Sequence, residues 1–253
     1  MKSALTIAGF DPSGGAGIQA DLKVFHCYGI YGLSVVSALT AQNSGGVTSI
    51  VPVSAQFVKE QLTVLLDDIK PDATKTGMLQ SEAIVEVVAH IVKRYSLGNF
   101  VIDPVMRSST GKRLAARGVP DAIRKKLLPV CTVVTPNIYE ASVLSGIRIQ
   151  TTADMEKAAV RLREYGARNV IITGGHLESI AADLVYDGEF HFLKGRKVQG
   201  EFHGTGCMFS AVVTALLAEG NSVLKAADLA KGFMKKAFTG SFSTGKGMRL
   251  FNI

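Results

Sequence analysis

Two short stretches bring together residue types that could do chemistry on a phosphate. In "EFHGTGCMFSAVV" (201–213) the turn Gly204-Thr205-Gly206 leads into an apolar helical run with Cys207 in its first turn. Glycines admit close backbone approach, and a helix start offers unpaired N–H groups and the positive end of its dipole. The turn therefore reads as an anion site that could hold a migrating phosphoryl group with backbone donors alone. There the dipole is expected to lower the Cys207 thiol pKa and make it a proton acceptor for an attacking hydroxyl. The competing role is that of a small buried apolar side chain, the usual fate of a free cysteine. Position alone leaves both open.

The second stretch, "TPNIYE", places Asn137 and Glu140 three residues apart where a strand gives way to a helix, hence on one face. An amide and a carboxylate suit a magnesium ion and its waters beside phosphates. A helix start with a surface glutamate explains the same letters equally well. Asp103, in "DPV" at another strand end, is a second candidate contributor.

"GFDPSGGAGIQAD" (9–21) carries G-x-G-x-x-A at Gly15, Gly17 and Ala20. A dinucleotide site would also want an acidic residue about 20 positions on, or a nearby arginine. Residues 22–58 contain no Asp, Glu or Arg, so a hydride-transfer reading lacks its second half. A plain glycine turn leaves Asp11 and Asp21 unexplained, whereas polar groups at both ends suit a loop that closes over a polar ligand. No Walker A loop exists either: Lys112 is followed by Arg113, and Lys246 by Gly247.

These loops need elements to hold them. Apolar, β-branched runs at 4–9, 99–105, 131–137 and 169–175 read as buried strands, and helical patterns fall at 81–95, about 120–129, 153–165, 206–219 and 223–238. Another helix starts after Ser54 as N-cap, with Val58, Leu62, Leu65 and Ile69 on one face. The alternation predicts an α/β domain, a mostly parallel sheet with helices on both faces. "ADLVYDGEFHFLKG", within 182–199, reads as a small edge hairpin around Asp187-Gly188. Chemistry is then expected at the carboxyl ends of the strands, where "GFDPSGGAG", "DPVMRSSTG", "TPNIYE" and "TGGH" converge.

The totals narrow the function classes. A chain of 253 residues, 47% hydrophobic, with no linker or repeat, fits one domain spanning 1–253. The start of the chain shows no signal-peptide arrangement and no apolar run is long enough for a bilayer, so a cytoplasmic protein without a membrane partner is expected. Three scattered cysteines and five scattered histidines give neither a disulfide framework nor a zinc spacing. The formal charge of +7 suits anionic small molecules or nucleic acid, but Lys and Arg are dispersed rather than gathered with aromatics, which argues against nucleic acid. The basic residues Lys231, Lys235, Lys236, Lys246 and Arg249 read as a solvated helix face and a loose tail.

Taken in order, "TIAGFDPSGGAGIQADLK", "ALTAQN", "GML", "DPVM", "TPNIYE", "GGH" and "HGTGC" resemble the hydroxymethylpyrimidine/phosphomethylpyrimidine kinases of thiamin biosynthesis, members of the ribokinase-like superfamily. The likeness covers nearly the whole chain. It implies a ribokinase-like three-layer sandwich and an ATP- and Mg2+-dependent homodimeric kinase. Its small-molecule substrate would be an aminopyrimidine, 4-amino-5-hydroxymethyl-2-methylpyrimidine, and then the monophosphate of that ring. On the matching motifs, Cys207 would be the base and Gly204, Thr205 and Gly206 the anion hole; Gly9, Asp21, Gln42, Met78 and Val105 would line the pyrimidine pocket. Asn137, Thr173, Gly175 and His203 would attend the nucleotide, and Asp103 and Glu140 the metal. The Gln42 amide offers a donor and an acceptor, as an aminopyrimidine edge requires.

Departures from the family pattern are Ser109 and Thr173 where lysines are common, Glu201 and Phe202 before "HGTGC", and Phe10 in the first loop. Arg107 or Lys112 could supply the missing charge, and the second phosphorylation is the step these departures bear on. The alternatives are a pyridoxal kinase of the same superfamily, a non-catalytic pyrimidine-binding regulator, and a NAD(P)-dependent oxidoreductase.

Overall fold

The structure, a computed structural model, describes residues 1–175, 181–195 and 198–253. Hydrogen bonding joins nine strands into one sheet in the order β3-β2-β1-β4-β5-β6-β7-β8-β9. The strands are β1 (Ser3–Phe10), β2 (Tyr31–Asn43), β3 (Gly46–Pro52), β4 (Ala73–Thr76), β5 (Phe100–Ile102), β6 (Val133–Val134), β7 (Asn169–Ile172), β8 (Ala181–Tyr186) and β9 (Phe190–Gly195). From β2 across to β7 every pairing is parallel, and antiparallel strands close both sides.

Alternate residues of each parallel strand point to opposite layers, the period-2 rule of a pleated strand. Leu5, Ile7, Phe100, Ile102, Val134, Val170 and Ile172 join one core, with α2 (Ala55–Asp68), α3 (Glu82–Arg94), α4 (Val119–Ala122), α5 (Ile138–Ser145) and α6 (Thr152–Glu164). Ala4, Val101, Val133 and Ile171 join the other, with α1 (Gly17–Cys27), α7 (Thr205–Ala218) and α8 (Val223–Thr239). The three layers expected from the alternating pattern are present.

Ser54 caps α2 by accepting from the Phe57 N–H. The buried face of α2 is Val58, Leu62 and Leu66, so Leu66 takes the place expected for Leu65, which is only half-buried. Strands β5 and β6 stop short of their apolar runs because Pro104 and Pro136 lack an N–H for the ladder. The helix expected at 120–129 is a single α turn that widens at 123–127 and ends in a tight turn at Pro129.

Three strands had no sequence expectation: β2 and β3, which form a second hairpin, and the four-residue β4. The expected hairpin is β8–β9, its residues 196 and 197 lying outside the described residues. The expected loose tail is instead tied down. Arg249 Nε donates to Ser241 Oγ at 2.9 Å, Phe242 pairs with Leu250, and Phe251 packs on Phe202 and Phe238.

Ser54→Ala should lower unfolding stability by about 1 kcal/mol, and Leu62→Ala by about 2–5 kcal/mol. Urea unfolding followed by circular dichroism checks both.

Candidate active site

The sheet order reverses at β1, with β2 on one side and β4 on the other, which opens a crevice at the carboxyl ends of the strands. Beneath it lies a fully buried ion pair. Lys75 on β4 places Nζ 2.6 Å from Asp21 Oδ1 on α1, and Thr6 Oγ1 on β1 donates to Asp21 Oδ2 at 2.6 Å. Lys75 Nζ also approaches the Cys207 carbonyl at 3.5 Å, so β1, β4, α1 and α7 meet at one ion pair. Burial works against the Lys75 charge, yet Asp21, with Cys207 and Asp103, holds it above the usual lysine range. Burial pulls Asp21 upward as well, against Lys75. With a cation at 2.6 Å and a hydroxyl on the second oxygen, we treat the pair as ionised.

Asp21 has no exposed surface, and Lys75 and Thr6 each engage one of its oxygens. Lys75 escaped the sequence reading. Its signal was a lone lysine inside the otherwise uncharged strand "ATKTGM", which an internal partner must neutralise.

Above the pair sits the start of α7. Gly204 is its N-cap at φ +81°, and a Cβ there would fall 1.9 Å from the Gly15 carbonyl oxygen, so only glycine lets the two turns touch. Gly206 differs: it is exposed, and a Cβ there would meet open space. The first intrahelical bond runs from Met208 N to Gly204 O at 3.0 Å, so the N–H groups of Thr205, Gly206 and Cys207 precede the helical ladder.

Cys207 is partly exposed and is not packed into an apolar cluster; the groups acting on its sulfur are Asp103, Lys75, Asp21 and the Gly17 N–H. The expected lowering of its pKa is overturned. Burial first, then the Asp103 carboxylate, pushes the thiol up to about 12, and Lys75 and the Gly17 N–H oppose this without reversing it. In the ligand-free protein the sulfur carries its proton at neutral pH.

Asn137 and Glu140 form the capping box of α5: Asn137 Oδ1 accepts from the Glu140 N–H and Glu140 Oε2 from the Asn137 N–H, both at 3.0 Å. Glu140 is nonetheless buried, not a surface residue, and its Oε1 also accepts from Met106 N at 3.3 Å. Asp103 is buried beside it and accepts from Ser210 Oγ at 2.9 Å. Burial raises both carboxyls, Asp103 to about 6 and Glu140 to about 8, the latter pushed further by the Asp103 charge.

Two carboxylates that repel each other this way fit a divalent cation, since each oxygen in a hydrogen bond keeps a further lone pair. Among the described residues no cluster of three or more His, Cys, Asp or Glu could hold a metal. Magnesium needs no more than one or two carboxylates when phosphates and waters complete its shell.

The other expected pocket residues fall into two groups. Gly9 abuts Met78, whose Cε lies 2.5 Å from where a Cβ of Gly9 would be, and Met78 clusters with Ala38, Val47, Leu114 and Val105. Gln42 lies near the end of β2 with its Nε2 2.8 Å from His203 Nε2, and the same His203 nitrogen is 2.8 Å from Asp11 Oδ2. Asp11 is buried and braces its own loop through Ser13 and Ala16. Hydrogen bonds to His203 and Ser13 outweigh its burial and hold its carboxyl below the usual range.

Thr173 donates its N–H to Pro136 O and bridges to Asn137, and Gly175 is exposed; His176 of "GGH" lies outside the described residues. Both residues expected to stand in for the missing lysines are engaged elsewhere. Arg107 stacks on Tyr139 at 4.3 Å, and Lys112 Nζ donates to Thr48 O.

The crevice thus brings together a helix start with free N–H groups and two buried carboxyls. The sequence profile of one family, phosphomethylpyrimidine kinase, matches residues 11–252. The chain belongs to the phosphomethylpyrimidine kinase family. It is 42% identical over 246 residues to the hydroxymethylpyrimidine/phosphomethylpyrimidine kinase of Streptomyces coelicolor, covering 96% of this chain and 91% of that protein. It is equally similar, 42% over 256 residues and 98% of this chain, to the thiamine biosynthetic bifunctional enzyme of Arabidopsis thaliana, of which it spans about half, 49%. Among solved structures, the ADP complex of Bacillus subtilis pyridoxal kinase superposes with a TM-score of 0.91 at 40% identity, covering 100% of this chain and 97% of that one. The fold of this family member is accordingly ribokinase-like.

Lys75→Met should cost about 3–5 kcal/mol, because it strands the Asp21 charge. Adding Asp21→Asn, which keeps an acceptor for Thr6, should recover a large part of that loss. Thermal unfolding of the two variants and the wild type checks the sign of the second change.

Proposed function

We propose that this chain is an ATP-dependent kinase acting on 4-amino-5-hydroxymethyl-2-methylpyrimidine and on its monophosphate, in thiamin synthesis or salvage, with residues 1–253 as one domain. The observation that carries the reading is one chain of contacts. Met78 packs on Gly9, a Cβ at Gly17 would meet the Gly9 carbonyl, and the Gly17 N–H faces the Cys207 sulfur. A ring held against Met78 would thus set its hydroxymethyl group beside the start of α7.

In this reading the hydroxymethyl oxygen attacks the γ-phosphorus of ATP, the new O–P bond forms as the β,γ-bridging P–O bond breaks, and ADP leaves. The proton of the attacking oxygen passes to Cys207 Sγ. That sulfur, partly exposed, must first release its own proton to solvent, which is favoured once a cation offsets the Asp103 charge. The N–H groups of Thr205, Gly206 and Cys207 would receive the developing negative charge without reorganisation. Asp103 and Glu140 would hold Mg2+, which neutralises phosphate charge when bound, while Asn137, Thr173 and Gly175 line the nucleotide side.

Asp21 is reassigned to support, since Lys75 and Thr6 hold its two oxygens, and His203 spends its Nε2 on Gln42 and Asp11. The reading includes a cytoplasmic homodimer. Consistent with it, no helix among the described residues is long and apolar enough to cross a membrane. The paired Leu39 and Val51 on the β2–β3 hairpin are also 49% and 62% exposed, an apolar spot a second copy could cover.

A second reading is supported by the Bacillus subtilis structure, that of a pyridoxal kinase. Side-by-side turnover of the hydroxymethylpyrimidine, its monophosphate and pyridoxal decides between them; faster turnover of pyridoxal would overturn the first. A third outcome, pyrimidine binding without phosphorylated product, would mark a regulator.

Cys207→Ala should cut kcat roughly 100- to 10,000-fold with little change in the KM for ATP. Near-normal kcat would return the cysteine to a packing role. Glu140→Gln should raise the Mg2+ concentration for half-maximal rate, and an unchanged magnesium titration would remove Glu140 from the cation site.

A further inference from the structure

His203 and Thr40 hold the two ends of the Gln42 side chain. Gln42 Nε2 is 2.8 Å from His203 Nε2, and Gln42 Oε1 is 3.2 Å from Thr40 Oγ1. His203 Nε2 is also 2.8 Å from Asp11 Oδ2, and Thr40 Oγ1 donates to Phe10 O at 2.9 Å. Phe10 and Asp11 are covalent neighbours, so the contacts Phe10, Thr40, Gln42, His203, Asp11 close into a ring.

One proton arrangement avoids both a stranded N–H and two donors face to face in that ring. His203 Nδ1 is buried and has no hydrogen-bond partner among the described residues, so a proton there would be stranded. With the proton on Nε2 instead, the Asp11 carboxylate, which also accepts from Ser13 and Ala16, receives it. An amide N–H of Gln42 cannot then face His203, because two donors would oppose each other. The Thr40 hydroxyl proton, already directed at Phe10 O, would moreover have to be divided with the amide oxygen. A half-turn of the amide, which exchanges O for N at the same two places, resolves both conflicts. Gln42 Oε1 then shares the His203 Nε2 proton with Asp11 in a three-centre bond, and Gln42 Nε2 donates to Thr40.

From this we infer that His203 and Thr40 are positioning residues that lock the Gln42 amide in one orientation and so decide which ring edge the pocket accepts. The inference rests on the pyrimidine reading above, in which Gln42 meets the substrate. The locked amide keeps one N–H and one oxygen lone pair free. An aminopyrimidine presents their complement, a bare ring nitrogen beside an exocyclic N–H. The 4-oxo analogue presents the reverse, a ring N–H beside a carbonyl, and could be matched only by breaking the contacts to both His203 and Thr40.

The test compares kcat/KM for 4-amino-5-hydroxymethyl-2-methylpyrimidine and its 4-oxo analogue, using the full chain with Mg2+ and ATP. Wild type should favour the amino ring by about 1,000-fold or more, as expected where a mismatch leaves buried polar groups unpaired. His203→Phe, which keeps a ring without the donor, and Thr40→Val, which keeps the shape without the hydroxyl, should each shrink that ratio at least about tenfold. The change should appear as KM rising for the amino ring and falling for the oxo ring. His203→Gln, which returns an N–H near the Nε2 position, should keep most of the ratio, an outcome general loosening of the loop would not give.

Should His203→Phe fail to fold by circular dichroism, Thr40→Val, at a half-exposed position, decides alone. A wild-type preference that survives unchanged in the folded variants overturns the inference while leaving the pyrimidine reading intact. Turnover of neither ring by wild type sinks both.

Discussion

The ion pair between Asp21 and Lys75 is the constraint on which the site is built. It joins α1 to β4, takes in β1 through Thr6, and reaches the Cys207 carbonyl at the start of α7. Desolvating two charges is costly, and such a pair adds little net stability over an apolar replacement. What it adds is register. Asp21 needs its cation and Lys75 its anion, so α1, β1, β4 and α7 can pack in only one way that leaves neither charge alone. The crevice where the sheet order reverses is therefore fixed from below, independently of anything bound above it.

Charge is distributed unevenly across that crevice. On the side of β5 and α5, burial raises the carboxyls of Asp103 and Glu140, and the Asp103 charge raises Glu140 further. On the side of α7, backbone N–H groups and the dipole favour an anion. A polyphosphate carried with its counter-ion satisfies both sides together, whereas either one alone satisfies only half. The protonated state of Cys207 belongs to the same pattern, since its sulfur stands where the Asp103 field is felt.

Local features of the chain were readable; distant partnerships were not. The Ser54 cap, the β8–β9 hairpin and the convergence of loops after β1, β5, β6 and β7 follow from capping chemistry, turn residues and apolar periodicity over short windows. Lys75 and Asp21 are 54 residues apart, and Asp11 and His203 are 192 apart, so no window could show that each buried charge had a partner. The thiol state of Cys207 went the same way. Helix position argued for a thiolate, but the burial that raises the thiol, and the Asp103 carboxylate that adds to it, are set by other parts of the chain. Strand β4 was passed over because Thr74, Lys75 and Thr76 look polar, although all three are buried.

Helix α7 is buried on every side from Met208 to Ala218, against α1, α8 and the sheet. Most helices of layered α/β proteins keep a wet face and can tilt or slide a little; this one has none. The amides at its tip therefore sit on a fixed anvil, and whatever travel a catalytic cycle demands falls to the surrounding loops. An arriving phosphate would find its dipoles already aimed, and the work of alignment would have been done once, when the chain folded.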